Sequence, residues 1–452
     1  MENISRENKM GAMKIPSLLY SVSIPIIISM IVQAMYNIVD SIYVAQFDNI
    51  AGTGALTVAF PIQNLMIAVS IGLAIGTNAL LSRSLGQKSF DKANLIAGQG
   101  FFLMLCGYLV FLIIGLFIVK PYVATQAEVG SALYNYSVEY ISVVCVCSFG
   151  VFVQVIAERL LQATGKSFFS MITQLSGAVV NIILDPIFIF TLDMGVKGAA
   201  IATVIGQCFA AVVGIALNVV VNKEIRLDIK NFLPKYHLIK EMLTIGIPAV
   251  LMQAISSVMT FSMNKILIAF NTEAMNVFGL YFKLQSFVFM PIFGLTNGMV
   301  PIISYNYGAK KKQRVYATIR LAVVTAVIYM LLGLTAFHSI PHVLLGFFNA
   351  SPLMIEIGAK ALRTISISFI FAGFSVITSS ACQALGKSMY SLMVSIGRQL
   401  VVLVPVAYML SLSKRVELVW WAFPIAEIMS VTLCVYFLIR VLKHAFPKHE
   451  MN

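Results

Sequence analysis

An all-α integral membrane protein, with twelve transmembrane helices in two parallel six-helix lobes, is the fold class this sequence predicts. Three observations predict it: a scarcity of charge, a series of twelve apolar segments, and an internal repeat. Of 452 residues, 11% are charged and 59% hydrophobic, and the mean hydropathy is +0.91. A domain wetted on all sides carries about 25% charged residues, so most of this surface must meet hydrocarbon rather than water.

A helix crossing about 30 Å of hydrocarbon needs about 20 apolar residues. Segments that meet this requirement run near 15–47, 53–81, 93–119, 132–156, 168–192 and 197–221, then near 239–270, 276–305, 315–340, 353–381, 389–412 and 416–443. A closed β-barrel would need alternating segments of about 10 residues, and nothing here alternates. The stretch from Met1 to Lys14 leads into the first segment without a small-residue cleavage site, so no removed signal peptide is expected.

The basic residues sort by loop. Arg6, Lys9 and Lys14 precede the first segment, and alternate connections carry Arg83, Lys88 and Lys92, then Arg159 and Lys166, then five between Lys223 and Lys240. Lys310, Lys311, Lys312, Arg314, Lys387, Arg440, Lys443 and Lys448 continue the same set, whereas the opposite set holds Lys120, Lys197, Lys414 and Arg415. Cytoplasmic loops carry the excess of Lys and Arg, so both termini are expected in the cytoplasm of a cell-membrane protein. The formal charge of +13 is thereby accounted for, and no nucleic-acid partner is expected.

The repeat decides the architecture. A shift of 222 lays Phe60, Gln63, Gly72, Gly76, Ser82 and Gly86 on Phe282, Gln285, Gly294, Gly298, Ser304 and Gly308. A shift of 221 lays Gln162-Ala163-Thr164-Gly165-Lys166-Ser167 on Gln383-Ala384-Leu385-Gly386-Lys387-Ser388, and one of 223 lays Ile24-Pro25 on Ile247-Pro248. A six-helix unit returns the chain to its starting side, so two copies share one orientation. The expected division is a first lobe over 1–221, a cytoplasmic linker over 222–240 and a second lobe over 241–452.

Ionisable groups inside a bilayer are costly and are functional candidates by default. At 1.5 Å per residue from the outer helix ends, Asp40 lies about 10 Å deep, Asp185 about 9 Å, Tyr140 about 12 Å and Thr203 about 9 Å. Asn181 precedes Asp185 by four and shares its helix face, while Gln33, Asn37 and Asp40 form one polar stripe. Pro186 cannot donate to the carbonyl of Ile182. Two carboxylates among amide, hydroxyl and carbonyl oxygens suit sodium by ligand type, or protons by titration of a shared pair; a buried network that only locks the bundle is the alternative. Glu139 is divided between this site and an external vestibule. Glu158, beside Arg159, reads first as a headgroup-level surface pair and second as a group in gating or substrate entry.

The second half does not repeat these acids, and Lys265 and Lys283 read as its deep charges. Met252, Met263 and Phe282 offer soft, adaptable substrate surface there. The six cysteines lie in apolar segments and read as buried structural thiols. The two Gly-Lys-Ser stretches lack the earlier glycine of a phosphate loop, and the five histidines have no metal-binding spacing. No cofactor is expected beyond sodium or protons, and no membrane-embedded enzyme.

Over essentially its whole length the chain resembles the multidrug and toxin extrusion (MATE) family. The resemblance rests on Asn37-Ile38-Val39-Asp40, the run from Asn181 to Pro186, Gly195-Val196-Lys197-Gly198-Ala199-Ala200, and the Gln-Ala-Thr-Gly-Lys segment with its copy. Within the family it looks most like the bacterial branch of the staphylococcal multidrug exporter. The resemblance implies a two-lobed antiporter that exports cationic or amphipathic drugs and toxins against sodium or protons, acting as a monomer. It implies Asp40, Asn181, Asp185 and Thr203 as the first-lobe cation site, with Tyr140 adjacent. Second-lobe acids found in some members are missing, with Met263 in the seventh helix and only Glu356 near the start of the tenth. The alternative is a lipid-linked saccharide flippase of the same broader superfamily, though acids deep in the first half favour cationic cargo.

Overall fold

A computed structural model describes residues 8–48, 50–348 and 351–446. Arg6, Lys448 and His449, which entered the loop and histidine readings, lie outside the described residues. Every regular element among the described residues is helical. Ten helices are long and apolar enough to cross a bilayer, and two bent pairs bring the total to twelve. In chain order they are α1 (Ile15–Phe47), α2 (Ala51–Gly86), α3 (Phe90–Ala124), α4 (Ala132–Val146 with Phe149–Ala163), α5 (Ser167–Thr191) and α6 (Gly195–Val220). The second set is α7 (Tyr236–Ile268), α8 (Thr272–Gly308), α9 (Lys312–Ser339), α10 (Pro352–Ser366 with Ser368–Ala384), α11 (Ser388–Ser411) and α12 (Val416–Ala445). In lipid each backbone N–H and C=O must find its partner inside the segment, which is why hydropathy located all twelve.

The breaks in α4 and α10 are bends of 47° and 48°, and they are repeat-related. Prolines read from sequence as bend markers do not cause them: Pro25, Pro61, Pro248, Pro291 and Pro301 lie inside continuous helices. At the α10 break Ser366 and Ser368 donate back to the carbonyls of Arg363 (3.1 Å) and Ile365 (2.6 Å). Hydroxyls that bond back in this way compete with the helical ladder and bend it.

The repeated Gly-Lys-Ser stretches turn out to be helix stops. Gly165 and Gly386 have φ of +80° and +78°, a left-handed conformation that glycine adopts without steric cost. Around each, the lysine N–H bonds five residues back (Lys166 to Leu161, 2.7 Å; Lys387 to Cys382, 2.9 Å) and the glycine N–H three back. This is the Schellman pattern that satisfies a helix's last carbonyls, and it explains the repeat without any phosphate. The cysteine reading needs correction for Cys106 and Cys147, which are exposed, whereas Cys145, Cys382 and Cys434 are buried. Cys106 sits on the apolar surface of α3 and Cys147 in the break of α4, and an uncharged thiol behaves as a small hydrophobe.

Among the described residues the chain divides into two compact units, one of residues 8–12 and 24–250, the other of 13–23 and 251–446. The first unit therefore takes in the start of α7. A Cβ on Gly76 would stand 2.3 Å from the Met242 carbonyl oxygen, and one on Gly246 2.8 Å from that of Gly72. The second unit takes in the start of α1, where a Cβ on Gly298 would stand 2.9 Å from Ser23 Cα. Small residues at four-residue spacing let helix backbones approach this closely. The repeat-matched glycines of α2 and α8 thus each receive the first helix of the other repeat.

Residues 222–240 are ordered against α3 in the first unit. Gln99, wholly buried, donates from Nε2 to the carbonyls of Asn231 (2.7 Å) and Leu233 (2.8 Å) and accepts from the Lys235 N–H (2.8 Å). Gln99→Leu removes three part-buried hydrogen bonds, each contributing about 0.5–1.5 kcal/mol. Hydrogen exchange over 226–235 should accelerate at least tenfold in that variant while exchange in α3 is unchanged; equal protection in both proteins would contradict the clamp.

Candidate functional site

The first unit buries a polar cluster where α1, α2, α4, α5 and α6 meet. Its geometry starts from two glycines. A Cβ on Gly177 of α5 would lie 2.8 Å from the Gly206 carbonyl oxygen of α6, and one on Gly206 would lie 2.7 Å from that of Gly177. This close crossing brings together the side chains one turn away. Asn181 Nδ2 donates to Asp185 Oδ1 (3.2 Å) along the helix face and reaches Thr203 Oγ1 at 3.5 Å across it. Immediately after Pro186 the helix loosens into a π-turn over Ile187–Thr191, a distortion common at functional sites.

Asp40 and Asp185 are both buried, at 8% and 0% exposure. Each carboxylate lies within electrostatic reach of the other. Tyr140 is buried against them and its hydroxyl accepts from Gln63 Nε2 (3.2 Å). Neither Asp40 nor Asp185 has an ion-pair partner among the described residues. Asp40 Oδ1, Asn181 Oδ1 and Asp185 Oδ2 are buried acceptors that receive no hydrogen bond there. Native interiors pair nearly all such atoms, and oxygen acceptors left unpaired in this way are the ligand type that hard cations and protons take. No group of three or more His, Cys, Asp or Glu side chains among the described residues is arranged to hold a metal ion; the donor set is carboxylate, amide and hydroxyl.

The cluster continues into a small cavity lined by Tyr36, Gln154, Gln174, Asn181, Thr203 and Gln207. Gln154 Nε2 donates both to Gln174 Oε1 (3.0 Å) and to Glu158 Oε1 (2.9 Å). Glu158 is half-buried at the end of an amide chain that leads to this cavity, so it does not lie on the protein surface. Arg159 is buried and donates to Gln162 Oε1 (2.9 Å). Glu139 and Asn37 are exposed and stand outside the cluster, and Gln33 is half-buried. Tyr36, Gln63, Gln154, Gln174 and Gln207 were missed from the sequence. Spacing could have found three of them: Gln174 lies seven before Asn181, Gln207 four after Thr203, and Gln154 four before Glu158.

In the second unit, Met252 and Phe282 are half-buried, while Met263 is fully buried and packs the unit's interior. Lys265 and Lys283 are exposed on their helices, Lys283 eleven residues into α8. The buried charge there is Glu427, paired with the half-buried Arg398, whose Nη1 lies 2.6 Å from Glu427 Oε1.

A twelve-span helical bundle with an acid cluster buried inside one repeat is an architecture suited to moving a solute across a membrane. The MatE family profile matches residues 25–187 and again 248–409, once in each repeat, and the chain belongs to that family of multidrug efflux transporters. It is 27% identical over 414 residues to the multidrug export protein MepA of Staphylococcus haemolyticus strain JCSC1435, covering 92% of this chain and 91% of that protein. Crystal structures of a MATE protein in bent and straight conformations superpose with TM-scores of 0.91 and 0.90, each at 23% identity over 98% of this chain and 99% of that one.

Proposed function

We propose that this transporter is a secondary antiporter that exports cationic or amphipathic drugs in exchange for sodium ions or protons. Asp40, Asn181, Asp185 and Thr203 hold the coupling ion, with Tyr140 beside it. The orphaned oxygens of Asp40, Asn181 and Asp185, with no ion-pair partner for either acid among the described residues, carry this reading. A bare pair of carboxylates in a dry interior is costly, so the site is stable only when it holds a cation, a proton or cationic cargo. Exchange follows because one cluster of two negative charges cannot comfortably hold cargo and coupling ion together. The similarity to a multidrug export protein supports the export direction and a broad cargo range. Acids rather than arginines in the first unit favour cationic cargo over the headgroup of a lipid-linked saccharide.

The decisive experiment is counterflow of a cationic dye in vesicles of purified protein, with sodium and pH gradients imposed separately. Dye movement driven by one gradient and collapsed by its ionophore supports antiport; movement indifferent to both removes it.

Orientation follows from the loop charges, and both termini belong in the cytoplasm of the cell membrane. Single cysteines placed in 222–240 should react with an impermeant maleimide only after the membrane is opened. Reaction in intact cells would reverse the assigned topology.

A further inference from the structure

The second unit contains a charged centre that the coupling site does not use. Arg398 lies ten residues into α11 and Glu427 eleven into α12, about 15 Å from the helix ends at 1.5 Å per residue, so the pair sits near mid-membrane from either side. The contact is one-pronged: Arg398 Nη1 to Glu427 Oε1 at 2.6 Å is the bond the pair makes, and Glu427 Oε2 is buried without a donor. Arg398 carries five N–H donors, and its remaining edge has no bond among the described residues. One more unpartnered polar atom, Ser430 Oγ, lies three residues after Glu427 on the same α12 face. On α11, Gln399 Nε2 donates to Ser395 Oγ (2.8 Å) within a π-helical stretch, Gly397–Leu403. That widened turn sits beside Pro405, as the first-lobe π-turn sits beside Pro186.

A salt bridge meant only to lock helices would use the arginine fork in two parallel bonds. This pair leaves half of each partner idle. The Arg398 side chain is 26% exposed, against 10% for Glu427. Charged side chains at this depth almost always face the bundle interior or a water-filled cavity rather than lipid. The idle edge of the guanidinium offers charged N–H donors, which complement a ligand group that carries an anionic oxygen.

We propose that Arg398, held in place by Glu427, is a specificity-determining group that binds the carboxylate of zwitterionic, carboxylate-bearing cargo. The inference rests on the export reading for its cargo and adds a second recognition point in the other repeat. A plain monocation is held by the first-lobe acids alone; a zwitterion gains a charge-assisted contact from Arg398.

The test uses two rhodamines, one with a free carboxylate and its ethyl ester, a simple monocation. Binding to purified full-length protein is read by fluorescence polarisation, alongside gradient-driven uptake in vesicles. The double variant Arg398→Met with Glu427→Leu removes both charges together, since an apolar pair of similar volume replaces a buried ion pair without loss of folding. It should weaken binding of the carboxylate dye about tenfold or more and leave the ester unchanged. Arg398→Lys, which keeps the charge and loses the planar fork, should fall between, and decides the matter if the double variant does not fold. Unchanged binding of both dyes, or equal weakening of both, overturns the proposal. A binding difference that persists while native vesicles move neither dye under either gradient upholds the Arg398 site and sinks the export reading.

Discussion

Asp185→Asn is expected to reduce ion-driven export of a cationic dye to background while the protein folds and reaches the membrane normally. Asn keeps the shape of Asp and still accepts from Asn181 Nδ2, now 3.2 Å from Asp185 Oδ1; only the charge disappears. One charge against a cation at about 4 Å is worth about 4 kcal/mol at an effective dielectric constant near 20, or about three powers of ten in ion affinity. Asp40→Asn should behave alike, since the two carboxylates share one cluster. Asn181→Ala and Thr203→Ala each remove one neutral ligand and should weaken ion affinity without abolishing transport. Stability should move the other way. Removing an unpaired charge from a dry interior relieves its desolvation cost, so both Asn variants should melt in detergent at or above the temperature of the native protein. Full gradient-dependent efflux by both variants would mean that the acids do not couple transport to an ion.

Gly76→Val is expected to cost more in folding than any other single substitution considered. Its Cβ would meet the Met242 carbonyl oxygen at 2.3 Å, and backbone, unlike the tip of a flexible side chain, cannot swing aside. Overpacking costs about 1–3 kcal/mol when side chains can adjust, so a backbone clash at a helix crossing should exceed that range. The variant should be lost from the monodisperse peak in size-exclusion chromatography. Gly279→Ala is the control, because nothing lies within 4 Å of its Cβ position; alanine there should be neutral or favourable by about 0.5–1 kcal/mol. A Gly76→Val protein that purifies and melts like the native one would show that α2 and α7 do not cross this closely.

Both predictions depend on repeat-matched residues, and they show different limits of sequence reading. The acids of the first repeat were legible because a bilayer makes any deep charge conspicuous, and four-residue spacing put Asn181 on the face of Asp185. Gly72 and Gly76 were legible only as a match to Gly294 and Gly298. That they receive the first helix of the opposite repeat is a matter of crossing, and no periodicity within one helix encodes it. The amide chain from Glu158 through Gln154 to Gln174 lay between these cases: each polar residue was visible, but its partner on another helix was not.

What the sequence by itself determined is the number and extent of the spans, the duplication, and the first-lobe residues Asp40, Asn181, Asp185 and Thr203 as candidates. Hydrocarbon offers the backbone no hydrogen bonds, so every span must satisfy itself locally, and local requirements are written in contiguous residues. Only the tertiary structure decided which side chains meet. The pairing of Arg398 with Glu427 across 29 positions, the Gln99 clamp on the linker, the bends of α4 and α10 and the left-handed turns at Gly165 and Gly386 all belong to it. Each of the side-chain pairings depends on how far a helix is rotated about its axis and how closely its neighbour approaches. In a bilayer that is settled by packing and buried polar pairing between helices rather than by hydropathy along one.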